Sequence, residues 1–173
     1  VKHDMPEDTG LDLKMSPGDF RKWNCYVKKF EPEKTTFSSL LSNFKVEIER
    51  NSKLGKISNK SFENSSIEIL NIPSKFEFFE EGWLINTPKL ININIPNDNE
   101  KYQIQNGILF NQTYDTILFA RRDISKFIIP KHVTLLDKMC FSYCEKLETI
   151  EFSGDSELKI IECEAFKNCK IKS

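Results

Sequence analysis

Apolar residues of this chain return in a fixed six-residue spacing, Φ-x-x-Φ-x-Φ, where Φ is apolar and x is any residue. The apolar positions of the four clear copies are Ile67, Leu70 and Ile72; Leu90, Ile93 and Ile95; Ile124, Phe127 and Ile129; and Leu147, Ile150 and Phe152. A weaker copy has Val46 and Ile48 in the later slots and Asn43 in the first. Apolar residues two apart at the end of each copy predict a short strand with one buried face.

The copies are separated by nearly constant intervals. Their last slots fall at residues 48, 72, 95, 129 and 152, so the steps are 24, 23, 34 and 23. The step of 34 equals 23 plus an 11-residue insertion. A strand this short cannot bury its apolar face alone, so regular repetition predicts a solenoid in which successive coils share one core.

A second spacing, Φ-x-x-Φ-x-x-x-x-Φ-x-x-[C/S/T], follows each strand. Its copies are Leu54, Ile57, Phe62 and Ser65; Phe76, Phe79, Leu84 and Thr87; Val133, Leu136, Phe141 and Cys144; and Leu158, Ile161, Phe166 and Cys169. Phe37 and Leu40 fit the end of an earlier copy. We interpret this segment as the return path of each coil, either a short turn of helix or a second short strand. Proline after three of the strands (Pro73, Pro96 and Pro130) ends the ladder, because it has no N–H to donate.

The insertion, at about 98–120, carries a hairpin pattern. Asn106-Gly107 lies between the alternating residues of 102–105 and the apolar run 108–110. Asn-Gly in this setting is the strongest short-range signal for a β-hairpin. A further strand is predicted at 116–120, so the third repeat unit should carry a small additional β element.

Residues 1–36 do not fit the repeat and form a separate segment. Ser16, Pro17 and Asp19 have the pattern of a helix start, and Pro32 would end the helix. Phe20, Trp23, Val27 and Phe30 then lie on one helical face. This helix is either an N-terminal cap of the solenoid or part of an unrelated upstream domain.

Composition narrows the classes of function. The 173 residues are 39% hydrophobic and 29% charged with a net charge of −1, and no basic stripe indicates a nucleic-acid partner. No apolar run reaches the roughly 18 residues of a membrane span, and no secretory signal is visible. The five cysteines contain no C-x-x-C and only two histidines are present, so we predict no metal site and no cofactor.

The amino-acid sequence of the repeats resembles the BspA-type leucine-rich repeats, especially those of the surface-antigen proteins of trichomonad parasites. The resemblance covers about residues 37–173 and is carried by segments 65–74, 147–158 and 164–169. The segment 106–110 resembles the D-G-V-L-F hairpin often inserted in that family. Departures are Cys140, where the next repeat has the small Ala165, and Trp83-Leu84 in place of an Ala-Phe pair; they change packing only.

The resemblance implies a β-rich (α/β) leucine-rich-repeat solenoid without enzymatic activity. It also implies a secreted or cell-surface protein that binds host, matrix or other cell proteins. The alternative is an intracellular scaffold with the same repeat surface, which the odd number of cysteines favours. An enzyme with a solenoid accessory is a third hypothesis, but 1–36 is too short to hold a catalytic domain. Because Ile171 occupies the first slot of another strand, we expect repeats to continue beyond Ser173.

A partner-binding surface follows from the strand pattern. The residue between the last two apolar slots points away from the core, and stacking brings such residues to about 4.8 Å per step. The predicted column is Glu47, Asn71, Asn94, Ile128 and Glu151, flanked by Asn92, Lys126 and Thr149. Ile128 is its one apolar member and the expected anchor, and the inserted hairpin is the second candidate surface.

Overall fold

The computed structural model describes residues 44–48 and 50–172, so the predicted cap in 1–36 and the repeat start at 37–43 lie outside the described residues. Within the described ranges the regular structure consists of β-strands without a helix. The strands are β1 (Phe44–Glu47), β2 (Lys56–Ile57), β3 (Ile67–Asn71), β4 (Phe78–Phe79), β5 (Asn92–Asn94), β6 (Tyr102–Gln105), β7 (Ile108–Asn111), β8 (Thr116–Ala120), β9 (Lys126–Ile129), β10 (Leu135–Leu136), β11 (Thr149–Phe152) and β12 (Ile160–Ile161).

The six-residue pattern forms the long strand of each coil, as predicted. β1, β3 and β5 make one parallel sheet, and β9 and β11 make another. The register pairs equivalent slots, for example Leu70 with Ile93 and Ile129 with Phe152. Apolar slots of the inner coils are buried or partly buried, whereas Phe152 in the last described coil is exposed. Each coil therefore covers the apolar face of the coil before it.

The second pattern forms a two-residue strand, the second of the two predicted alternatives. β2 pairs with β4, and β10 pairs with both β8 and β12, all in parallel. The third slot of the pattern buries Phe62, Leu84 and Phe141 at equivalent places. The rings of Phe141 and Phe166 stack with centroids 5.2 Å apart, so in the later coils this slot joins one coil to the next.

A repeated pair of left-handed residues explains why the return path is not helical. Three residues after the last residue of the short strand, φ is positive at Lys60, Gly82, Met139 and Glu164, and seven residues after it φ is positive at Asn64, Asn86, Tyr143 and Asn168. A right-handed helix cannot continue through such residues. The chain instead closes by successive i to i+3 turns, such as Cys140 N–H to Asp137 O and Ser142 N–H to Met139 O.

The insertion is a three-stranded antiparallel meander of β6, β7 and β8, and the predicted hairpin is confirmed. Asn106 and Gly107 both have positive φ, the conformation of a type I′ turn. β8 then runs parallel to β10, so the meander is attached to the return strands of the later coils. The sheet order is β12-β10-β8-β7-β6.

The meander separates two cores and contributes to both. Leu109 and Phe119 belong to the core of the earlier coils. Ile108 and Phe110, which alternate with Leu109 along β7, belong to the core of the later coils. β7 is therefore buried on both faces, an arrangement more usual for strands between two layers.

Two buried polar side chains, Asn99 and Arg122, lie where the meander joins the two sets of coils. Asn99 donates to the carbonyls of Ser74 and Phe76 at 3.0 and 2.9 Å, and its Oδ1 accepts the N–H groups of Lys101 and Tyr102. Its amide thus joins the turn that precedes β4 to the segment that leads into β6. Buried carbonyls without such a donor would be costly.

The Arg122 guanidinium is buried between Phe119 of the earlier core and Cys140 of the later core. Its Nη1 donates to the carbonyls of Ala120 and Cys140 at 3.2 and 2.9 Å, and its charge lies 4.8 Å from the ring centre of Phe119. Burial lowers the pKa of this guanidinium. The side chain therefore connects β8 to the next coil through two main-chain carbonyls.

Gly82→Ala tests the left-handed position. With φ of +79°, a Cβ would lie 3.0 Å from Asn59 Oδ1 and Ile85 Cδ1. We expect a loss of about 1–2 kcal/mol in the free energy of unfolding, measured by urea denaturation. Gly154→Ala is the matched control, because a Cβ there meets nothing within 4 Å. Equal stability of the two variants would contradict the structure.

Asn99→Ala tests the side chain that joins the turn before β4 to β6. Two carbonyls, one of them on the buried Phe76, and two N–H groups lose their partner, so we expect a loss of about 2–4 kcal/mol. Asn97→Ala, at an exposed position two residues away, should change stability by less than about 0.5 kcal/mol. The same denaturation midpoint for both variants would show that Asn99 does not hold the junction.

Candidate partner-binding surface

The structure arranges the predicted column as two separate ladders. Glu47 lies opposite Asn71 in the register of β1 and β3, and Asn71 lies opposite Asn94 in that of β3 and β5. Ile128 lies opposite Glu151 in the second sheet. β5 and β9 are not paired, so the prediction of one continuous column was wrong. The insertion is the physical reason, because its strands lie between these two coils in sequence and contribute to the cores on both sides.

The asparagine ladder comprises Asn71, Asn92 and Asn94. Asn94 is exposed and its Nδ2 donates to Asn71 Oδ1 at 2.7 Å, while Asn92 Nδ2 donates to Asn94 Oδ1 at 3.1 Å. These bonds align the side-chain amides along the sheet. The side chain of Glu47 lies outside the described part of the structure. The three side chains present amide donors and acceptors along the sheet.

The mixed ladder comprises Lys126, Ile128, Thr149 and Glu151. Lys126 lies opposite Thr149, and its Nζ reaches diagonally to Glu151 Oε1 at 2.5 Å. Ile128 is 49% exposed beside this ion pair. Because both charged side chains are about half exposed, solvent screens their interaction. The ladder offers one apolar contact flanked by both signs of charge.

A cleft lies next to the asparagine ladder, where the first sheet ends. It has a volume of about 340 Å³ and is lined on one side by Ile93, Asn94, Ile95 and Pro96, and on the other by Tyr102, Gln103 and Ile104. The sequence predicts Asn94 on the surface and a hairpin at 102–110, but it does not predict that the two lie on opposite sides of one cleft. The signal for this interruption of the stack was the 34-residue step between the copies that end at Ile95 and Ile129.

Other polar groups that could do chemistry have structural partners. Glu80 Oε2 accepts the N–H of Asn59 at 2.9 Å, and Glu81 Oε1 accepts a hydrogen bond from Lys138 Nζ at 2.6 Å. The Lys138 contact holds the pKa of Glu81 below its usual range. In the described ranges no group of three metal-ligating side chains comes together. His132 and Cys163 are exposed at turns.

The pattern of repeats matches a known family model. The model for the BspA type leucine rich repeat region matches residues 33–118 and 112–173, with six copies. The chain belongs to the BspA-type leucine-rich repeat family. The resemblance drawn from the sequence is therefore confirmed. The search of curated proteins found no match.

Solved structures with a similar fold include two bacterial repeat proteins. One is the pneumococcal vaccine antigen PcpA, with a TM-score of 0.57 and 19% identity over 62% of this chain. The other is a leucine-rich repeat protein from Eubacterium ventriosum ATCC 27560, with a TM-score of 0.58 and 22% identity over 66% of this chain. The chain spans 27% and 30% of their lengths, respectively. The likeness concerns the solenoid fold.

Ile128→Glu tests which face of β9 is exposed. Ile128 is 49% exposed and Ile129 is 0% exposed, so Ile128→Glu should change the free energy of unfolding by less than about 0.5 kcal/mol. Ile129→Glu places a carboxylate in the later core and should cost more than about 4 kcal/mol. Thermal denaturation followed by circular dichroism measures both; a larger loss for Ile128→Glu would reverse the assigned faces.

Proposed function

We propose that this BspA-type repeat segment is a protein-binding module of a surface adhesion or antigen protein. It contacts host, matrix or other cell proteins through the outer side chains of its long strands. Repeat solenoids use such stacked columns for extended contacts with other proteins. The proposal assigns no reaction and no cofactor to the segment.

The exposure of Ile128 within the mixed ladder is the observation that carries the proposal. An aliphatic side chain with polar and charged neighbours has the composition of a small interface centre with a polar rim. The asparagine ladder extends this surface along the earlier coils, where its amides can both donate and accept hydrogen bonds. The two ladders provide different chemistries on the strand side of one solenoid.

Two comparisons support a location at the cell surface. The family model is of the BspA type, and one structural neighbour is described as a vaccine antigen of the pneumococcus. Among the residues that the structure describes, no helix is long and apolar enough to cross a membrane. The alternative is an intracellular scaffold, which would use the same ladders; the free thiols of Cys140, Cys144, Cys163 and Cys169 favour it.

The test is binding of the purified 173-residue chain to immobilised fibronectin, laminin and collagen and to intact epithelial cells. We expect saturable binding to at least one of these, weakened at least tenfold by Ile128→Glu or Asn94→Arg. Both substitutions change side chains that are exposed on the strand face, so circular dichroism should stay unchanged.

Lys89→Glu is the matched control, because Lys89 is exposed in the turn before the strand rather than on its outer face. It should retain binding within about twofold of the unaltered chain. Binding that both ladder variants retain would exclude this face. Absence of saturable binding to every surface offered would contradict an adhesion role.

A further inference from the structure

The cleft beside the asparagine ladder lies between the unpaired edges of two different sheets. β5 is the last strand in the order β1-β3-β5, and β6 is the last in the order β12-β10-β8-β7-β6. Residues of both strands line the cleft. Among the strands that the structure describes, none pairs with the outer edge of either one.

The strand registers show which backbone groups these edges present. The carbonyl of Asn94 accepts the N–H of Ile72, so the backbone of Asn94 faces β3 and that of Ile93 faces the other side. In the hairpin, Gln105 pairs with Ile108 across the two-residue turn. The backbones of Gln105 and Gln103 therefore face β7, and that of Ile104 faces outward. Ile93 and Ile104 thus each direct an N–H and a carbonyl to an edge that no described strand pairs with.

The walls of the cleft are held in place by contacts outside it. The ring of Tyr102 packs against Phe79 with centroids 5.2 Å apart. Gln103 accepts a hydrogen bond from the Tyr114 hydroxyl and donates to Gln112 Oε1. A site whose walls are fixed before binding loses less conformational entropy when it is occupied.

The lining indicates the chemistry of the occupant. It consists of aliphatic, aromatic, proline and amide residues, and none of them is charged. Asp98, which directly follows the lining residue Asn97 in sequence, is engaged by Arg50 at 3.0 Å. The volume of about 340 Å³ lies at the lower end of the range for ligand pockets. A short segment of polypeptide with small, uncharged side chains suits both the volume and the lining.

We propose that the cleft between β5 and β6 binds an uncharged, extended segment of a partner protein by strand addition. The backbone of the segment hydrogen-bonds to the free edges presented by Ile93 and Ile104, and its apolar side chains contact Ile95 and Tyr102. Strand addition takes its affinity from main-chain hydrogen bonds and its selectivity from alternate side chains. The inference rests on the proposed function, because it assigns a second way of holding a polypeptide to the same module.

The test uses nuclear magnetic resonance of the ¹⁵N-labelled 173-residue chain. The probe is a capped pentapeptide of alternating valine and threonine, compared with the same peptide N-methylated at every residue and with one carrying lysine and glutamate for threonine. We expect saturable shifts of the Ile93 and Ile104 amide signals with the first peptide. The N-methylated and charged peptides should bind at least tenfold more weakly.

Ile104→Pro removes the outward N–H of β6 at an edge position, where proline is tolerated. It should weaken the first peptide at least tenfold, whereas Ile104→Val keeps the N–H and should stay within twofold. If Ile104→Pro does not fold, the peptide N-methylation series still decides the matter. Equal binding of the methylated peptide, or no saturable shift at these two amides, would overturn strand addition.

Ile128→Glu separates this inference from the proposed function. It should leave pentapeptide binding unchanged while it weakens binding to the immobilised proteins and cells. Absence of pentapeptide binding, with Ile128→Glu still reducing adhesion, would overturn the cleft and leave the ladder surface standing. Adhesion that Ile128→Glu leaves unchanged, with pentapeptide binding intact, would overturn the ladders and leave the cleft.

Discussion

Parallel pairing between successive coils is the constraint on which this structure depends. A strand of three to five residues has little stability of its own, and each coil here receives both its backbone partners and its apolar cover from its neighbours. At the junction between the two sets of coils, other groups supply backbone partners. The buried amide of Asn99 does so for the carbonyls of Ser74 and Phe76, and the meander does so for β10.

The same constraint explains how far the sequence could predict the fold. Buried slots such as Leu70 and Phe141 repeat because equivalent positions meet equivalent neighbours, and that regularity is visible in the order of residues. The hairpin was also predictable, because Asn106-Gly107 suits only a few turn conformations. Three of the left-handed positions were hidden, since Lys60, Met139 and Glu164 are residues without a marked preference for positive φ. Their conformation is imposed by the closure of the coil.

The candidate site was predicted less completely than the fold. The identity of the outward residues followed from alternation, and the structure places Asn94 and Ile128 at exposed positions as expected. Their continuity could not be predicted, because an insertion of given length can bulge outward or enter the stack. Here the burial of Leu109 and Ile108 in different cores shows that it enters the stack. The cleft between β5 and β6 is a consequence of the position of the insertion within the stack.

The two-sided burial of β7 has a consequence for how the molecule opens. In many repeat arrays one end can unfold while the other remains folded, because each repeat contacts only its neighbours. In this chain, opening either half would expose one face of β7 and remove packing that the other half also uses. Amide hydrogens of β7 should therefore exchange with solvent only through cooperative unfolding of both halves. The insertion, which interrupts the repeat in sequence, is thus the element that makes the two sets of coils a single folding unit.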